Sequence, residues 1–121
     1  MSDAGETQDE REWRFYIDDM ITFAQKVVVY TAGHDQPGFV ADGRTYDATL
    51  RNLELIGEAA THVPDVVRTA HPEIPWRLIV ATRNLLIHAY LGTDNDTLWS
   101  VIQDDIPTLV IALQKLKQDA A

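Results

Sequence analysis

The chain has 121 residues, of which 45% are hydrophobic and 24% are charged, a composition typical of one globular domain rather than of a disordered or membrane-spanning protein. It contains no cysteine, which excludes disulfides, thiolate nucleophiles and cysteine-based zinc sites. The formal net charge of −9 argues against indiscriminate binding of nucleic acid, although it leaves room for a nuclease with a small local basic site. Because residues 1–12 are polar and acidic and the apolar runs are short, we expect a cytoplasmic protein with no membrane contact.

The first third of the chain contains one long helical pattern. We expect residues 1–9 to be a disordered acidic tail and residues 10–121 to form a single domain. Apolar residues recur at helical spacing over residues 10–31, which predicts the first helix. Glycine, proline and aspartate are then frequent over residues 33–43, which indicates turns.

Three further helices are predicted in the middle of the chain. The second spans residues 45–63, and we expect close packing against another helix at Gly57, within its apolar stripe. A short third helix, residues 65–70, follows Pro64. The prolines after it prevent a continuous helix, so the fourth is predicted to begin again at residue 75 and to run to residue 90.

The last predicted helix, residues 96–118, has a proline inside its apolar stripe. Gly92 is a stop signal for the preceding helix, and one of residues 94–96 is suited to cap this one. Pro107 removes a backbone donor, so we predict a kink or a local break near residues 104–106. No alternating pattern predicts a strand, and the chain is therefore expected to be an all-α, antiparallel four- to five-helix bundle.

The residues that indicate a function lie near the end of the predicted fourth helix. Arg83 carries a permanent charge and can clamp phosphate oxygens, and His88 can take and give a proton near neutral pH. Together they supply the cation and the acid–base group that RNA cleavage without a metal requires. Asn84 precedes His88 by one helical turn and is suited to fix its tautomer.

Helix geometry, however, separates the cation from the imidazole. At about 100° per residue, Arg83 and Tyr90 lie almost on one face, and His88 lies about 140° from Arg83. Three arrangements would bring them together: the helix ends before His88, the Arg83 side chain bends round, or a second copy of the chain completes the site. The chemistry alone also fits a structural interpretation, in which Arg83 pairs with a carboxylate, His88 stabilises the helix C-terminus and Tyr90 is a boundary aromatic.

Four blocks of the sequence, taken together, resemble the HepT branch of the HEPN superfamily. The segment from Arg83 to Tyr90 is similar to the family's Arg-x4-His-x-Tyr motif, including the polar Asn84 after the arginine. The other blocks resemble the second-helix signature, the lead-in to the motif helix and the closing helix, and they lie at residues 51–60, 71–76 and 98–109. The resemblance covers about residues 13–117.

This resemblance implies a HEPN-like fold and a ribonuclease toxin that forms a homodimer or a higher homo-oligomer. It implies cleavage of RNA by 2′-hydroxyl attack, with Arg83 as phosphate clamp, His88 as general acid or base and Asn84 as its orienter, and with neither cofactor nor metal. The implied partner is a nucleotidyltransferase antitoxin of the MntA type, which attaches AMP from ATP to the motif tyrosine, here Tyr90. The wider class suggests transfer RNA as the substrate, although no residue identified here reads it.

Two other interpretations stay open. The protein could be a non-catalytic helical binding module that docks a nucleotidyltransferase or holds a nucleotide. Related helical partners with that role lack the arginine–histidine pair, so the presence of Arg83 and His88 favours the enzyme. A purely structural dimerising bundle is the weaker alternative.

The remaining polar and aromatic residues favour structural roles. The histidines outside the motif lack metal-ligand spacing and are interpreted as solvated loop residues: His34, His62 and His71. Glu54 and Glu58 are one turn apart, and pairing with Arg51 or another arginine, or contact with a dimer partner, is favoured over an acid–base site. Two tryptophans on amphipathic helices are predicted to anchor the core: Trp76 and Trp99.

Overall fold

The computed structural model describes the backbone of residues 3–119 and the side chains of residues 12–119. This part of the chain consists of helices joined by short turns and loops. The helices are α1 (Asp3–Thr31), α2 (Gln36–Ala41), α3 (Gly43–Thr61), α4 (Asp65–Ala70), α5 (Trp76–Tyr90), α6 (Asn95–Ser100) and α7 (Ile106–Asp119), with a π-helical segment at Val101–Asp105. The prediction of an all-α bundle is confirmed. Within the described residues, no helix is both long enough and apolar enough to cross a membrane.

The first helix begins earlier than predicted. The helix α1 is assigned from Asp3, earlier than the predicted start at residue 10. Residues 1–2 and the side chains of residues 1–11 lie outside the described residues. The disordered tail over residues 1–9 and the single domain over residues 10–121 therefore stay predictions.

The core lies between the four longest helices. The helix α3 contacts both α1 and α5, and α7 contacts α1. The side chains that fill the space between them are almost completely buried: Ile17, Met20 and Val27 of α1, Leu50 and Leu53 of α3, Leu86 of α5, and Leu113 and Leu116 of α7. Because burial of each such side chain contributes about 1.5–3 kcal/mol, α3 is firmly held and forms a fixed platform for α5.

The turn region after α1 contains a short helix that the sequence pattern did not predict. The Asp35 carboxylate caps α2 by accepting a hydrogen bond from the Gly38 backbone N–H at 2.8 Å. Phe39 is the buried residue of α2. The prediction of turns was wrong for residues 36–41, because a six-residue helix with one buried side chain has no recognisable period.

The middle helices agree closely with prediction. The third predicted helix coincides with α4, and the second and fourth differ from α3 and α5 by one or two residues at their ends. Pro75 occupies the N-cap position of α5 instead of its first turn. A Cβ atom placed on Gly57 would lie 3.3 Å from the Ile79 carbonyl oxygen, which confirms the close packing expected there, between α3 and α5. Trp76 is buried, and Trp99 packs against the core, as predicted.

The end of α5 is fixed by hydrogen bonds on both sides. Gly92, at φ +75°, adopts the left-handed conformation that ends many helices, and the next N–H, of Thr93, donates to the His88 carbonyl oxygen at 2.9 Å. The Tyr46 hydroxyl of α3 lies 2.8 Å from the Ala89 carbonyl oxygen and 2.7 Å from the Asn95 side-chain oxygen. The last turn of α5 is therefore tied to α3 and to the start of α6.

The predicted break in the last helix takes the form of a wide turn. In the π-helical segment the Ile106 N–H donates to the Val101 carbonyl oxygen. Pro107, directly after, has no N–H to continue the ladder. The irregularity is therefore confirmed, although it begins three residues before the predicted residues 104–106.

Candidate active site

The residues predicted to carry the chemistry all lie on the outer surface of α5. Arg83, Asn84, His88 and Tyr90 are exposed. The buried side of the same helix is formed by Trp76, Ile79, Leu86 and Ala89. The motif side chains are thus not part of the core, and α5 presents them to solvent.

Arg83 reaches from α5 towards α3. Its Nη2 lies 3.3 Å from Oε2 of Glu58, and 72% of the arginine side chain is exposed. The two side chains stand at a narrow crevice between the helices, which is also lined by Leu53 and Val80 and has room for about one water molecule. Arg83 therefore has one protein partner at the crevice while most of its donors face solvent.

His88 lies in the last turn of α5. The helix continues to Tyr90, so the arrangement in which it ends before His88 is wrong. Arg83 is directed at Glu58 on α3, which means that it does not bend round to His88 either. Of the three arrangements considered, the one that stays open is a site completed by a second copy of the chain.

Asn84 and His88 are neighbours on the outer surface. Within the described residues, however, no hydrogen bond joins the Asn84 side chain to the His88 ring, and both are exposed. The orienting role of Asn84 therefore stays a prediction.

Tyr90 extends the line of Arg83 to the end of α5. Partial burial raises the pKa of its phenol, and the charges of Glu54 and Asp47 act in the same direction, while Arg51 opposes them. The phenol is thus neutral at physiological pH and adjoins the charged face of α3.

The motif residues form two lines along α5, Arg83 with Tyr90 and Asn84 with His88. An apolar strip separates these two motif lines. Val80, Ile87 and Leu91 are 38%, 56% and 70% exposed. At about 100° per residue, all three fall between the direction of Arg83 and the direction of His88. Any molecule that covers this strip therefore contacts both motif lines at its edges.

The two glutamates of α3 are paired with basic groups. Arg51 and Glu54 lie 3.4 Å apart, and the Glu58 carboxylate contacts both Arg83 and His62, the latter at 3.7 Å. The prediction that Glu54 and Glu58 pair with arginines is confirmed.

The histidines outside the motif lie between helices, as predicted, but two of the three are not fully solvated. His62 caps the end of α3 and stacks on Tyr16 with ring centroids 4.5 Å apart. His34 and His71 are partly buried beside carboxylates. In the described part of the chain, no three histidine or carboxylate side chains are grouped as metal ligands. Pairing with nearby carboxylates explains these positions, and only for His62, four residues after Glu58, did the sequence spacing indicate it.

Comparison with known proteins identifies the family to which these residues belong. The sequence profile described as "Ribonuclease HepT-like" matches residues 20–116, which include all of α5. The chain belongs to the HepT-like ribonuclease family. The family predicted from the four sequence blocks is therefore confirmed, and so, at the level of the family, is the prediction of a ribonuclease.

Individual relatives of the HepT-like chain support this assignment along nearly its whole length. A protein of Thermococcus cleftensis named "Probable ribonuclease HepT" is 36% identical over 109 residues, which are 90% of this chain and 99% of the relative. Relatives named "Putative RNase" from Methanocaldococcus jannaschii and Caldanaerobacter subterraneus are 32% and 30% identical, over 83% and 87% of this chain and 92% and 94% of their own lengths. No solved structure matches the chain at a significant level.

Proposed function

We propose that this HepT-like protein is a metal-independent RNA endonuclease and the toxin of a toxin–antitoxin pair. The observation that carries the proposal is the joint exposure of Arg83 and His88 on α5 in a chain of this family. Neither side chain is needed for packing, and together they have the chemistry that phosphodiester cleavage requires. The rival proposal of a binding module gives no role to the exposed His88 imidazole.

The proposed reaction is an attack within the RNA chain. The ribose 2′-oxygen bonds to the adjacent phosphorus while its proton passes to a base, and the bond to the 5′-oxygen breaks while that oxygen takes a proton from an acid. The products are a 2′,3′-cyclic phosphate and a 5′-hydroxyl. His88 serves as base or acid, Asn84 orients it, and the Arg83 guanidinium stabilises the charge that develops on the phosphoryl oxygens.

The proposed active form is a homodimer that contacts along the strip of Val80, Ile87 and Leu91. Covering this strip removes apolar surface from water and brings the two motif lines to the edges of one interface. Ile87→Glu should weaken the dimer, as measured by sedimentation, and lower cleavage with it.

The proposed partner is an MntA-type nucleotidyltransferase that silences the enzyme at Tyr90. The phenol oxygen attacks the α-phosphorus of ATP, pyrophosphate leaves, and the phenol proton passes to a base of the transferase. Arg83 and Tyr90 lie within roughly 20° of each other around the helix axis, which supports a mechanism in which the attached phosphate occupies the arginine. Intact-mass measurement should show an added AMP group, which Tyr90→Phe abolishes.

The test of the nuclease is cleavage of defined RNAs, transfer RNA first, by the purified protein in the presence of EDTA. Cleavage should yield 2′,3′-cyclic phosphate ends and should be lost in Arg83→Ala and His88→Ala. Arg77→Ala is the matched control, because Arg77 is an exposed arginine in the first turn of the same helix, nearly two turns from Arg83 and three turns from His88. Full activity in either motif variant would disprove the assignment, and binding of the transferase without any RNA turnover would favour the binding module.

A further inference from the structure

The Glu58 carboxylate joins Arg83 to a second fixed group. One oxygen, Oε2, lies 3.3 Å from Nη2 of Arg83, and the other, Oε1, lies 3.7 Å from Nε2 of His62. The His62 ring is in turn stacked on Tyr16, with 12° between the ring planes. The backbone of Glu58 is thus held in α3, and its carboxylate is contacted by the stacked His62 imidazole one turn further along the chain.

This contact differs from the other ion pairs of α3 and α4. Arg51–Glu54 and Arg68–Asp65 each join residues three apart on one helix, whereas Glu58 and Arg83 are on different helices. They meet where Gly57 allows α3 and α5 to approach closely. Because exposed ion pairs contribute little to stability, the more important consequence of this pair is the direction that it gives to the Arg83 side chain.

We propose that Glu58 is a positioning residue for Arg83, an inference that rests on the proposed nuclease function. An exposed arginine samples many rotamers, and a fixed partner reduces that freedom before substrate binds. Glu58 accepts one N–H of Nη2, and the other Nη2 N–H can pair with an N–H of Nη1 or Nε to bind two phosphate oxygens. Glu58 therefore acts on the reaction through Arg83 and does not itself touch the RNA.

The charge of Glu58 gives the proposal a distinctive kinetic signature. A carboxylate beside the phosphate site repels RNA, so its removal should leave KM unchanged or lower it. Loss of orientation should lower kcat about tenfold in Glu58→Ala, since small misplacements of a clamping group are costly to the chemical step. Glu58→Gln should recover part of kcat, because the amide oxygen still accepts a hydrogen bond from the guanidinium.

A charge-matched control and a double-mutant cycle isolate this effect. Glu73→Gln also removes a carboxylate paired with a histidine, but in the segment between α4 and α5, and it should leave kcat unchanged. In single-turnover measurements on the Arg83→Ala background, Glu58→Ala should cause no further loss, because its effect passes through the missing guanidinium. Circular dichroism melts should show that all variants are folded. If Glu58→Ala is less stable, Glu58→Gln replaces it in the comparison, because glutamine has nearly the same volume as glutamate.

Three results would overturn the positioning role while leaving the nuclease in place, provided that Arg83→Ala shows only the residual cleavage that single-turnover conditions detect. These are a kcat of Glu58→Ala equal to that of Glu73→Gln, a faster enzyme in Glu58→Ala, or a loss that persists undiminished on the Arg83→Ala background. If Arg83→Ala itself cleaves RNA normally, the proposed function fails and this inference fails with it.

Discussion

If Arg83 and His88 act on one phosphate from different subunits, two inactive variants should restore activity when they are mixed. The helix α5 continues past His88, Arg83 is directed at Glu58, and about 140° separates the two motif directions. A single copy therefore does not bring the guanidinium and the imidazole together. In a mixed dimer of Arg83→Ala and His88→Ala chains, one of the two composite sites contains an intact Arg83 and an intact His88.

The expected magnitude follows from counting sites. Random exchange of equal amounts makes about half of the dimers mixed, and each mixed dimer holds one intact site of two, so about a quarter of the unmutated activity should return. The assay mixes the variants, allows subunits to exchange, and follows RNA cleavage against each variant alone.

The same experiment can refute the composite site. If each site used Arg83 and His88 of one chain, every chain in the mixture would lack one of them, and activity would stay at the level of the separate variants. Confirmed exchange, shown by mass measurement of differently tagged chains, combined with no recovery would refute the composite site.

Four further predictions concern the platform that carries the site. Tyr46→Phe deletes the hydroxyl that ties α3 to the end of α5 and should lower the free energy of unfolding by about 1 kcal/mol, whereas Tyr30→Phe, an exposed control, should not. Burial raises the pKa of the Tyr46 phenol, and the charges of Tyr90 and Asp47 raise it further. Because the folded state then disfavours the phenolate, the free energy of unfolding should fall as the pH rises above about 10, and it should fall less steeply in Tyr46→Phe. Gly57→Ala should lower cleavage, because the new Cβ would press on the α5 backbone beside the Arg83 crevice, while the unfolding free energy in denaturant titrations should change by less than about 1 kcal/mol, because the gain in helix propensity offsets the contact. Thr49→Val should raise the unfolding free energy by about 1 kcal/mol with unchanged activity, because the Thr49 hydroxyl is buried without a hydrogen-bond partner; a less stable variant would contradict this.

The sequence predicted best where one physical signal dominates a segment. Long apolar stripes located α1, α3 and the last helical stretch, and the prolines and Gly92 located α4, α5 and most of the helix ends. The helix α2 was missed because six residues are too few to show a period, and its stability comes from a cap at Asp35 and from Phe39, which packs on Trp99 with ring centroids 5.2 Å apart. Contacts of that kind depend on where distant parts of the chain lie in space.

The site shows the same limit. The motif spacing identified Arg83 and His88, and helix geometry already indicated that they diverge. The sequence could not predict that Glu58 is the partner of Arg83, because this depends on how α5 is rotated against α3 at Gly57. Likewise, His62 had no sequence neighbour that would predict its stacking on Tyr16.

RNA binding by this acidic protein should depend little on salt concentration, because few of its cations are placed to contact phosphate. The formal charge is −9, and Arg51 and Arg83 on the site side of α3 and α5 are each beside a glutamate. Each phosphate that a cation neutralises contributes about 0.7 to the slope of log affinity against log salt for single-stranded nucleic acid. With one or two such contacts, KM should change with a slope of about 1 in a salt titration, and Arg83→Ala, measured by direct RNA binding, should flatten it further. A steep slope, unchanged by Arg83→Ala, would mean that RNA is held on a basic surface elsewhere, and AMP at Tyr90 could then no longer silence the enzyme by masking a single guanidinium.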